Sequence, residues 1–355
     1  MTKLRPSAIP FLTILLAPQL HAQDATTRYQ TACIGFYNLE NLFDTIDSPD
    51  TDDKEFLPNS AKQWTSARYH EKLEHMARVI AEIATDIDPD GVRVLGVSEV
   101  ENRGVLDDLV RVPTLAERGY RVVHKDSPDR RGVDVGLLYD PKHFTFLDQR
   151  SYVLSNPEDT AFRTRSQLLV KGVMDGDTIH VIVAHWPSRR GGEARSRPLR
   201  ILAGQLGRHI VDSLLARDPE ARIFYMGDLN DDPVDKSLRM GLGVVGDKRY
   251  ATNGKMFDPM MDLYNKGIGS LAWRDSWNLF DQIAISPGAV AEGKDHFHYY
   301  GVRVFNQPYL RQNEGNFTGY PFRTFVGDNY MGGYSDHFPV YVVLVRPDGH
   351  VGTSY

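Results

Sequence analysis

Short apolar runs punctuate the chain at fairly regular intervals. Each run ends in polar or turn-forming residues, which is typical of β-strands in a folded core. The runs predict strands over residues 32–37, 92–97, 133–139, 178–184, 222–226, 279–285 and 338–345.

Two longer stretches carry apolar residues at the spacing of an α-helix. One predicted helix covers residues 67–85, and the other is defined by the apolar positions within residues 199–214. Strands and helices therefore alternate, without a repeat or a linker, and predict one domain of mixed α/β type. Residues 286–334 are the least regular stretch. A loop of that length is usually functional or an insertion.

Composition and charge narrow the class of protein. The chain has 355 residues, of which 41% are hydrophobic and 25% charged, as in soluble globular proteins. Its formal net charge of −6 gives no overall basic field for nucleic acid, although a local basic patch can still bind a polyanion. Cys33 is the only cysteine, so no internal disulfide can form.

The N-terminus has the pattern of a signal peptide. Lys3 and Arg5 precede an apolar run over residues 9–17, and Ala22 offers a cleavage point. The run is too short for a transmembrane anchor, which needs about twenty apolar residues. The alternative is a buried cytosolic helix. We expect export to the periplasm or the medium, removal of residues 1–22, and a monomeric mature chain, residues 23–355, without a membrane anchor.

Polar residues gather where the predicted strands end. In "YMGDLNDDP", residues 225–233, an apolar run stops at a glycine and releases several carboxyl and amide groups. This is either a polar turn or a catalytic edge, because α/β proteins place their chemistry at strand ends. Similar margins occur at Asn38, Glu40, Glu99, His185, Asp228, Asn230, Asp281, Asp336 and His337. If they converge, they supply oxygen ligands for Mg²⁺ or Mn²⁺, together with imidazoles and amides, a set that suits phosphoryl transfer.

Six motifs in order resemble one known family. They are "FYNLENLFD", "GVSEVEN", "VAHWPSRRGGEARS", "YMGDLNDDP", "LFDQIAIS" and "YSDHFPV", spread from about residue 31 to 345. Together they are similar to the endonuclease/exonuclease/phosphatase superfamily, the DNase I-like phosphodiesterases, in a secreted bacterial-type form. The resemblance implies a four-layer α/β/β/α sandwich with two central mixed sheets and an active site at one end.

The resemblance also implies a metal centre. Glu99 resembles the principal metal carboxylate and lies near Asn38 in the family arrangement. Glu40 and Asp336 resemble further ligands of the same region, either direct or through water. The family often has Asp at the position of Glu40. The implied cofactor is Mg²⁺ or Mn²⁺.

The catalytic roles follow from the same motifs. Asp228 resembles the residue that orients or deprotonates the attacking water, and Asn230 the one that binds a phosphate oxygen. His337 resembles the histidine that contacts the scissile phosphate, with Asp281 holding its imidazole in one tautomer. His185 takes a position near the leaving group, where other members carry His or Tyr.

Arginines near these motifs are candidates for binding the substrate, because guanidinium groups bind phosphate bidentately. Arg163 or Arg165 resembles a phosphate contact of the family. We interpret Arg189 and Arg190 as a substrate clamp, although a solvated arginine loop is the alternative. The tryptophans in residues 273–277 either stack on a base or sugar or belong to the core.

The sequence therefore predicts a secreted, divalent-metal-dependent phosphodiester hydrolase, with a nuclease acting on DNA or RNA as the first interpretation. A phosphatase or a phospholipase-type phosphodiesterase would use the same motifs. A non-catalytic binding protein on the same fold is a further alternative. Such a protein is expected to have lost a metal carboxylate or the final Asp-His pair, and this chain retains both.

Overall fold

The computed structural model describes residues 28–273 and 275–348. Strands make up most of the regular structure in these residues. In chain order the strands are β1 (Tyr29–Leu42), β2 (Val92–Val100), β3 (Arg121–His124), β4 (Asp134–Tyr139), β5 (Phe144–Tyr152), β6 (Gln167–Met174), β7 (Asp177–His185), β8 (Arg222–Asp228), β9 (Val244–Val245), β10 (Met256–Phe257), β11 (Leu271–Trp273), β12 (Ser276–Asn278), β13 (Asp281–Ile285), β14 (His298–Val304), β15 (Phe325–Val326), β16 (Asn329–Tyr330) and β17 (Val340–Pro347).

Two long helices and several short ones connect these strands. The α-helices are α1 (Ser66–Glu82), α2 (Arg103–Arg111), α3 (Pro113–Ala116), α4 (Glu193–Leu215), α5 (Met260–Asn265) and α6 (Pro287–Val290). Short 3₁₀ turns cover Lys54–Phe56, Lys248–Tyr250, Pro308–Leu310 and Gly315–Phe317, and a π-helical turn covers Ser237–Leu242.

The strands form two large mixed sheets. The six-stranded sheet has the order β14-β17-β1-β2-β4-β3, and the seven-stranded sheet has the order β5-β6-β7-β8-β13-β10-β9. Near the centre of each sheet lies one parallel pair, β1 with β2 and β7 with β8, with antiparallel strands on both sides. The ends of these central strands are therefore surrounded by neighbouring strands on either side.

The sheets pack face to face with helices outside them. Apolar residues of both sheets, such as Phe36 and Met226, form the inner core. Helices α1 and α2 cover the outer face of the six-stranded sheet, with Met76 and Leu106 buried there. Helix α4 covers the outer face of the seven-stranded sheet around Ile210. The predicted four-layer α/β/β/α sandwich is confirmed, because each sheet is apolar on both faces and needs a layer on each side.

The predicted elements occur, with shifted ends. Strand β1 extends five residues past Tyr37, through the polar residues that the sequence placed after it, because β2 continues to pair with it. The predicted helix over residues 67–85 is α1, which ends earlier, at Glu82. The irregular stretch 286–334 contributes β14 to the edge of the six-stranded sheet, so it is part of the main architecture.

The proposed signal peptide, residues 1–22, lies outside the described residues. Export and cleavage after Ala22 therefore stay predictions. Among the helices within the described ranges, none combines the length and apolar character needed to cross a bilayer.

Candidate active site

The seven-stranded sheet places three candidate side chains in one row. His185, the last residue of β7, is the pairing partner of Asp228 on β8, and Asp228 is also paired with Asp281 on β13. Gly227 makes the close approach of β7 and β8 feasible, because a Cβ there would lie 2.0 Å from the carbonyl oxygen of Ala184. The glycine in the "YMGDLNDDP" motif thus serves the alignment of His185 with Asp228.

The six-stranded sheet adds side chains from two distorted strand ends. The register of β1 with β2 shifts between Asn38 and Leu42, and that of β2 with β4 shifts on either side of Glu99. Glu40 and Glu99 adopt left-handed backbone conformations, with φ of 45° and 58°. Bulges of this kind redirect side chains, and strained non-glycine backbone concentrates at functional sites. On the other sheet Asn230 is left-handed too, with φ of 51°.

The side chains from the two sheets meet across the interface between the sheets. Asn38 Nδ2 donates to Glu99 Oε1 at 3.3 Å and to Asp228 Oδ2 at 3.0 Å. His185 Nε2 lies 3.6 Å from Asp228 Oδ2 and 3.9 Å from Glu99 Oε1. One ligand atom each from Glu99, His185 and Asp228 lies within 4.8 Å of the others. This set of carboxylate and imidazole donors fits a divalent cation.

His337 completes the cluster from the loop before β17. Its Nδ1 lies 2.7 Å from Asp281 Oδ2, and its Nε2 lies 3.8 Å from both Asp228 Oδ2 and Asp336 Oδ1. Burial by itself lowers the pKa of the imidazole, but Asp281, Asp336 and Asp228 more than offset this and hold the pKa well above its usual value. His337 is therefore a cation at neutral pH, with Nε2 facing the cleft.

His185 is in the opposite state. Burial lowers the pKa of its imidazole well below the usual value, and the charges of Arg165, Arg131 and His337 lower it further. Burial also raises the pKa of Asp228 to about 7, helped by Asp281 and Glu99 and opposed by His337. Titratable groups whose pKa values are pushed apart in one site are typical of acid–base catalysis.

Two of the predicted metal ligands stand apart from this cluster. Asp336 faces the cleft but is paired with Arg323, at 2.6 Å. The Glu40 carboxylate instead accepts backbone N–H groups from Thr324, at 2.6 Å, and Phe325, at 3.4 Å. Burial, with Asp336 nearby, raises the pKa of Glu40 to about 7. The structure thus places Glu40 as an anchor of the 324–325 backbone, beside the metal cluster and not in it.

The two arginines predicted as phosphate contacts do not line the cleft. Arg165 is buried and pairs with Asp129 at 3.2 Å, and it donates to the carbonyl of Trp186 at 2.5 Å. Arg163 is exposed and donates to the carbonyls of Thr160 and Phe162. Arg165 is held by an internal carboxylate because a buried guanidinium requires a partner. The charge of Arg165 acts on His185 by lowering the pKa of its imidazole. The interpretation of Arg163 or Arg165 as a phosphate contact finds no support in this placement.

The predicted clamp divides into two different arginines. Arg189 donates to the carbonyl of Asn230 at 2.8 Å and to Asp231 and Asp235, both at 2.9 Å, so its charge is matched within the protein. Arg190 is exposed on the rim of the cleft. Within residues 28–273 and 275–348, its guanidinium has no ion pair or hydrogen bond. Of the two, only Arg190 has its charge available for a ligand.

A buried ion network behind the cleft was not foreseen. Arg200, on α4, is fully buried and forms an ion pair with Asp231 at 2.7 Å. Ser237 donates to the other oxygen of Asp231 at 2.5 Å, and Arg189 joins from the cleft side. The network fixes the loop that carries Asn230. Asp231 lies inside the motif "YMGDLNDDP", and Arg200 lies in the predicted helix within residues 199–214, but their pairing is not visible in the sequence.

The candidate catalytic residues line a cleft of about 360 Å³, in which Leu271, Trp273 and Phe280 form an apolar wall. The polar lining includes Glu99, His185, Asp228, Asn230, Asp336 and His337. A larger cavity of about 730 Å³ lies at the edge of the six-stranded sheet, near Tyr29 and Tyr300, and contains none of the clustered acids or histidines. We place the chemistry in the smaller cleft, because the perturbed groups Asp228, His185 and His337 converge there.

The two predicted stacking residues differ in their placement. Trp277 stacks on Phe338, with ring centroids 6.1 Å apart, and contacts Tyr320 edge-on. Trp273 is 40% exposed on the cleft wall. Trp277 is almost as exposed, at 38%, but it does not line the cleft, so Trp273 is the tryptophan that a substrate in the cleft can reach.

Comparison with known proteins identifies the family. The model of the Endonuclease/Exonuclease/phosphatase family matches residues 33–346, and the chain belongs to this family. It is therefore a hydrolase of a family that depends on divalent metal ions, and its acidic cluster is suited to hold one. A search of curated protein sequences gave no match.

Solved structures show the same fold at low sequence identity. A family protein from Bacteroides thetaiotaomicron is 17% identical, with a TM-score of 0.52 over 93% of this chain and 100% of that one. A mannosyl-6-phosphatase of the same species is 18% identical, with a TM-score of 0.53 over 88% and 99%. D. rerio TDP2 complexed with a single strand DNA product is 14% identical, with a TM-score of 0.50 over 88% and 98%. The DNase I-like fold predicted from the sequence is confirmed.

Proposed function

We propose that the protein is a Mg²⁺- or Mn²⁺-dependent phosphodiester hydrolase and that its substrate is DNA or RNA. One observation carries the proposal. A charged histidine, His337, and a neutral one, His185, face the same buried carboxylate, Asp228, from two sides. The cation can meet the phosphate, the carboxylate between the two histidines can take a proton from water, and the neutral imidazole can bind a metal ion, which are the groups that phosphoester hydrolysis uses.

The residues that would hold the metal are Glu99 and His185, with Asp228 beside them. Glu99 is oriented by two donors, Asn38 Nδ2 at 3.3 Å and the backbone N–H of Asn41 at 3.0 Å. When bound, a divalent ion would supply positive charge for the phosphate and would make a neighbouring water easier to deprotonate. Asn38 also donates to Asp228, so one amide sets the distance between the two carboxylates.

The protein's own groups supply the proton transfer and the charge stabilisation. Asp228 accepts a proton from the attacking water, for which its pKa of about 7 suits a base working near neutral pH. The backbone N–H of Asn230 donates to Asp228 Oδ1 at 3.0 Å and fixes that carboxylate. His337, held by Asp281, presents its cationic Nε2 to the phosphate, and Asn230 lines the cleft beside it.

The nature of the substrate is supported from two directions. Similarity to D. rerio TDP2 complexed with a DNA product, together with Trp273 and Arg190 at the cleft, favours a nucleic acid strand. The small cleft and the similarity to a mannosyl-6-phosphatase favour a phosphatase acting on a sugar phosphate as the second candidate. Both use the same catalytic cluster.

We also propose that the protein is exported. The basis is the basic start, the short apolar run and the cleavage point at Ala22. N-terminal sequencing of protein from the envelope or medium of the native host tests this. A mature start near Gln23 supports it, and an intact Met1 on cytoplasmic protein contradicts it.

Hydrolysis of a substrate panel tests the function. DNA, RNA, a sphingomyelin-type phospholipid and a hexose 6-phosphate are each incubated with Mg²⁺ and with excess EDTA. We expect nucleic acid to be cleaved fastest, EDTA to stop the reaction, and Glu99→Gln to remove activity with the fold intact. Glu158→Gln, an exposed glutamate away from the cleft, is the matched control. Full turnover by Glu99→Gln, or in EDTA, would refute the proposal.

A further inference from the structure

A second, polar cleft adjoins the catalytic one. It has a volume of about 240 Å³ and shares Arg190 and Asp336 with the catalytic cleft. Four cationic side chains line it, and we call them the basic rim: Lys62, Arg131, Arg190 and Arg323. They come from four separate segments of the chain, so the fold and not a local charge run assembles them.

Part of this positive charge is matched within the cleft. Arg323 pairs with Asp336 at 2.6 Å, and Lys62 pairs with Glu55 at 3.2 Å. The third carboxylate in the cleft, Glu40, is occupied by two backbone N–H groups, which it accepts from Thr324 and Phe325. The acids of this cleft therefore neutralise Arg323 and Lys62, and they do not neutralise the two other guanidinium groups.

Those two guanidinium groups belong to Arg131 and Arg190. The carboxylate nearest to Arg131 is Asp129, at 3.6 Å, and it is already paired with Arg165 at 3.2 Å. In the described part of the chain, the Arg190 guanidinium has no ion-pair partner. Both side chains are exposed, so each can turn toward a ligand in the cleft.

The segment that carries Arg131 is firmly held. Asp129 is buried, and it accepts the backbone N–H of Arg131 at 3.0 Å. The carbonyl of Arg130 accepts the backbone N–H of Asp52 at 2.7 Å. Arg131 is thus presented to the cleft by a fixed turn.

We propose that the basic rim binds a second phosphate group of the substrate, next to the phosphate that is hydrolysed. The proposal rests on the phosphoester hydrolysis proposed above and specifies its substrate class as molecules with two neighbouring phosphates. Guanidinium groups bind phosphate oxygens bidentately, and Arg131 and Arg190 have donors to spare. The second phosphate comes either from the next link of a nucleic acid strand or from a small bisphosphate.

Two matched pairs of substrates test the proposal. The nucleotide pair is thymidine 5′-(p-nitrophenyl phosphate) with and without an added 3′-phosphate. The sugar pair is glucose 1,6-bisphosphate and glucose 6-phosphate. In the pair that the enzyme hydrolyses, we expect the extra phosphate to lower KM about tenfold, the effect of one hydrogen-bonded charge contact.

Variants at the rim separate this contact from catalysis. Arg131→Ala should remove most of the KM advantage of the extra phosphate, and Arg131→Lys should restore part of it, because the point charge returns without the bidentate geometry. Arg150→Ala is the control, since Arg150 is an exposed arginine on β5 that does not line either cleft. It should keep the full advantage. Unchanged thermal unfolding shows that the variants are folded.

Each outcome decides the question. An advantage in the nucleotide pair, lost in Arg131→Ala, supports a strand phosphate, and the same result in the sugar pair supports a small bisphosphate. The subsite proposal is overturned if KM is equal within both pairs, or if the advantage survives in Arg131→Ala and Arg190→Ala. In either case the proposed function still stands, provided that hydrolysis requires Glu99. If no substrate is hydrolysed in a Glu99-dependent manner, the proposed function fails, and the subsite with it.

Discussion

Two groups of charged residues lie side by side at the same end of the sandwich. In the catalytic cluster, Asp228, Asp281 and His337 are buried and each lies against an opposite charge. On the basic rim, Arg131 and Arg190 are exposed, and their charges are only weakly matched by the protein. The two groups share a cleft wall but differ in solvation.

This difference separates the tasks of the two groups. Buried charges are held in place and have perturbed pKa values, which suits interactions made only in the transition state. Exposed charges are solvated and mobile, and they act mainly on substrate binding, with sensitivity to salt. The buried pair of Arg200 and Asp231 shows a third use, since it faces no cleft and holds the loop of Asn230.

The largest effect is expected in the cluster. Asp228→Asn removes the base and His337→Ala removes the cation, so each should lower kcat by about 10²- to 10⁴-fold. KM should change little, because both groups act mainly in the transition state. Steady-state kinetics on the best substrate of the panel measures this. His209→Ala, at an exposed histidine on α4, should leave both constants as they are. A raised KM with normal kcat would place these residues with the rim.

The next effect concerns stability. Arg200→Met leaves the buried Asp231 without one of its cations and should lower the free energy of unfolding by about 3 kcal/mol, toward the low end for a broken buried pair because Arg189 remains. Urea denaturation measures it. The control is Arg103→Met, which breaks an exposed pair with Asp107 and should cost less than about 1 kcal/mol. Equal losses in the two variants would show that burial of the pair does not matter here.

The last effect concerns a buried carboxyl group that is not paired with a cation. Asp258 is fully buried, and burial raises the pKa of its carboxyl to about 7. Between about pH 4 and pH 7 the folded state keeps a proton that the unfolded chain has released, so stability falls as pH rises through this window. We expect this pH-dependent loss to disappear in Asp258→Asn, because the amide carries no proton that titrates in this window. Unfolding curves at pH 4 to 8 that run parallel for the variant and the wild type would contradict it.

Much of the fold and the types of residue in the site were open to prediction. Strands are recognisable in the sequence as apolar runs. The polar residues at their ends include Glu99, His185 and Asp228, because a strand that ends at an active site changes composition abruptly there. The basic rim left a weaker signal. Arg130-Arg131-Gly132 repeats the Arg-Arg-Gly pattern of residues 189–191. Of the two stretches, only residues 189–191 follow a strand end with a candidate catalytic residue, His185.

The sequence by itself determined the order of elements, the mixed α/β class and the set of groups available for chemistry, because these depend on local periodicity and on residue type. The four-layer arrangement was implied by the resemblance of the six motifs to a known family. Tertiary structure alone decided which charges face the substrate. Arg165 and Arg189 resemble Arg190 in sequence, yet partners distant along the chain, Asp129 and Asp231, hold the first two inside the protein. The Glu40 carboxylate meets backbone groups 284 residues away. A charge is free or matched only once the chain has folded, since its partner is set by packing between segments and not by its neighbours in sequence.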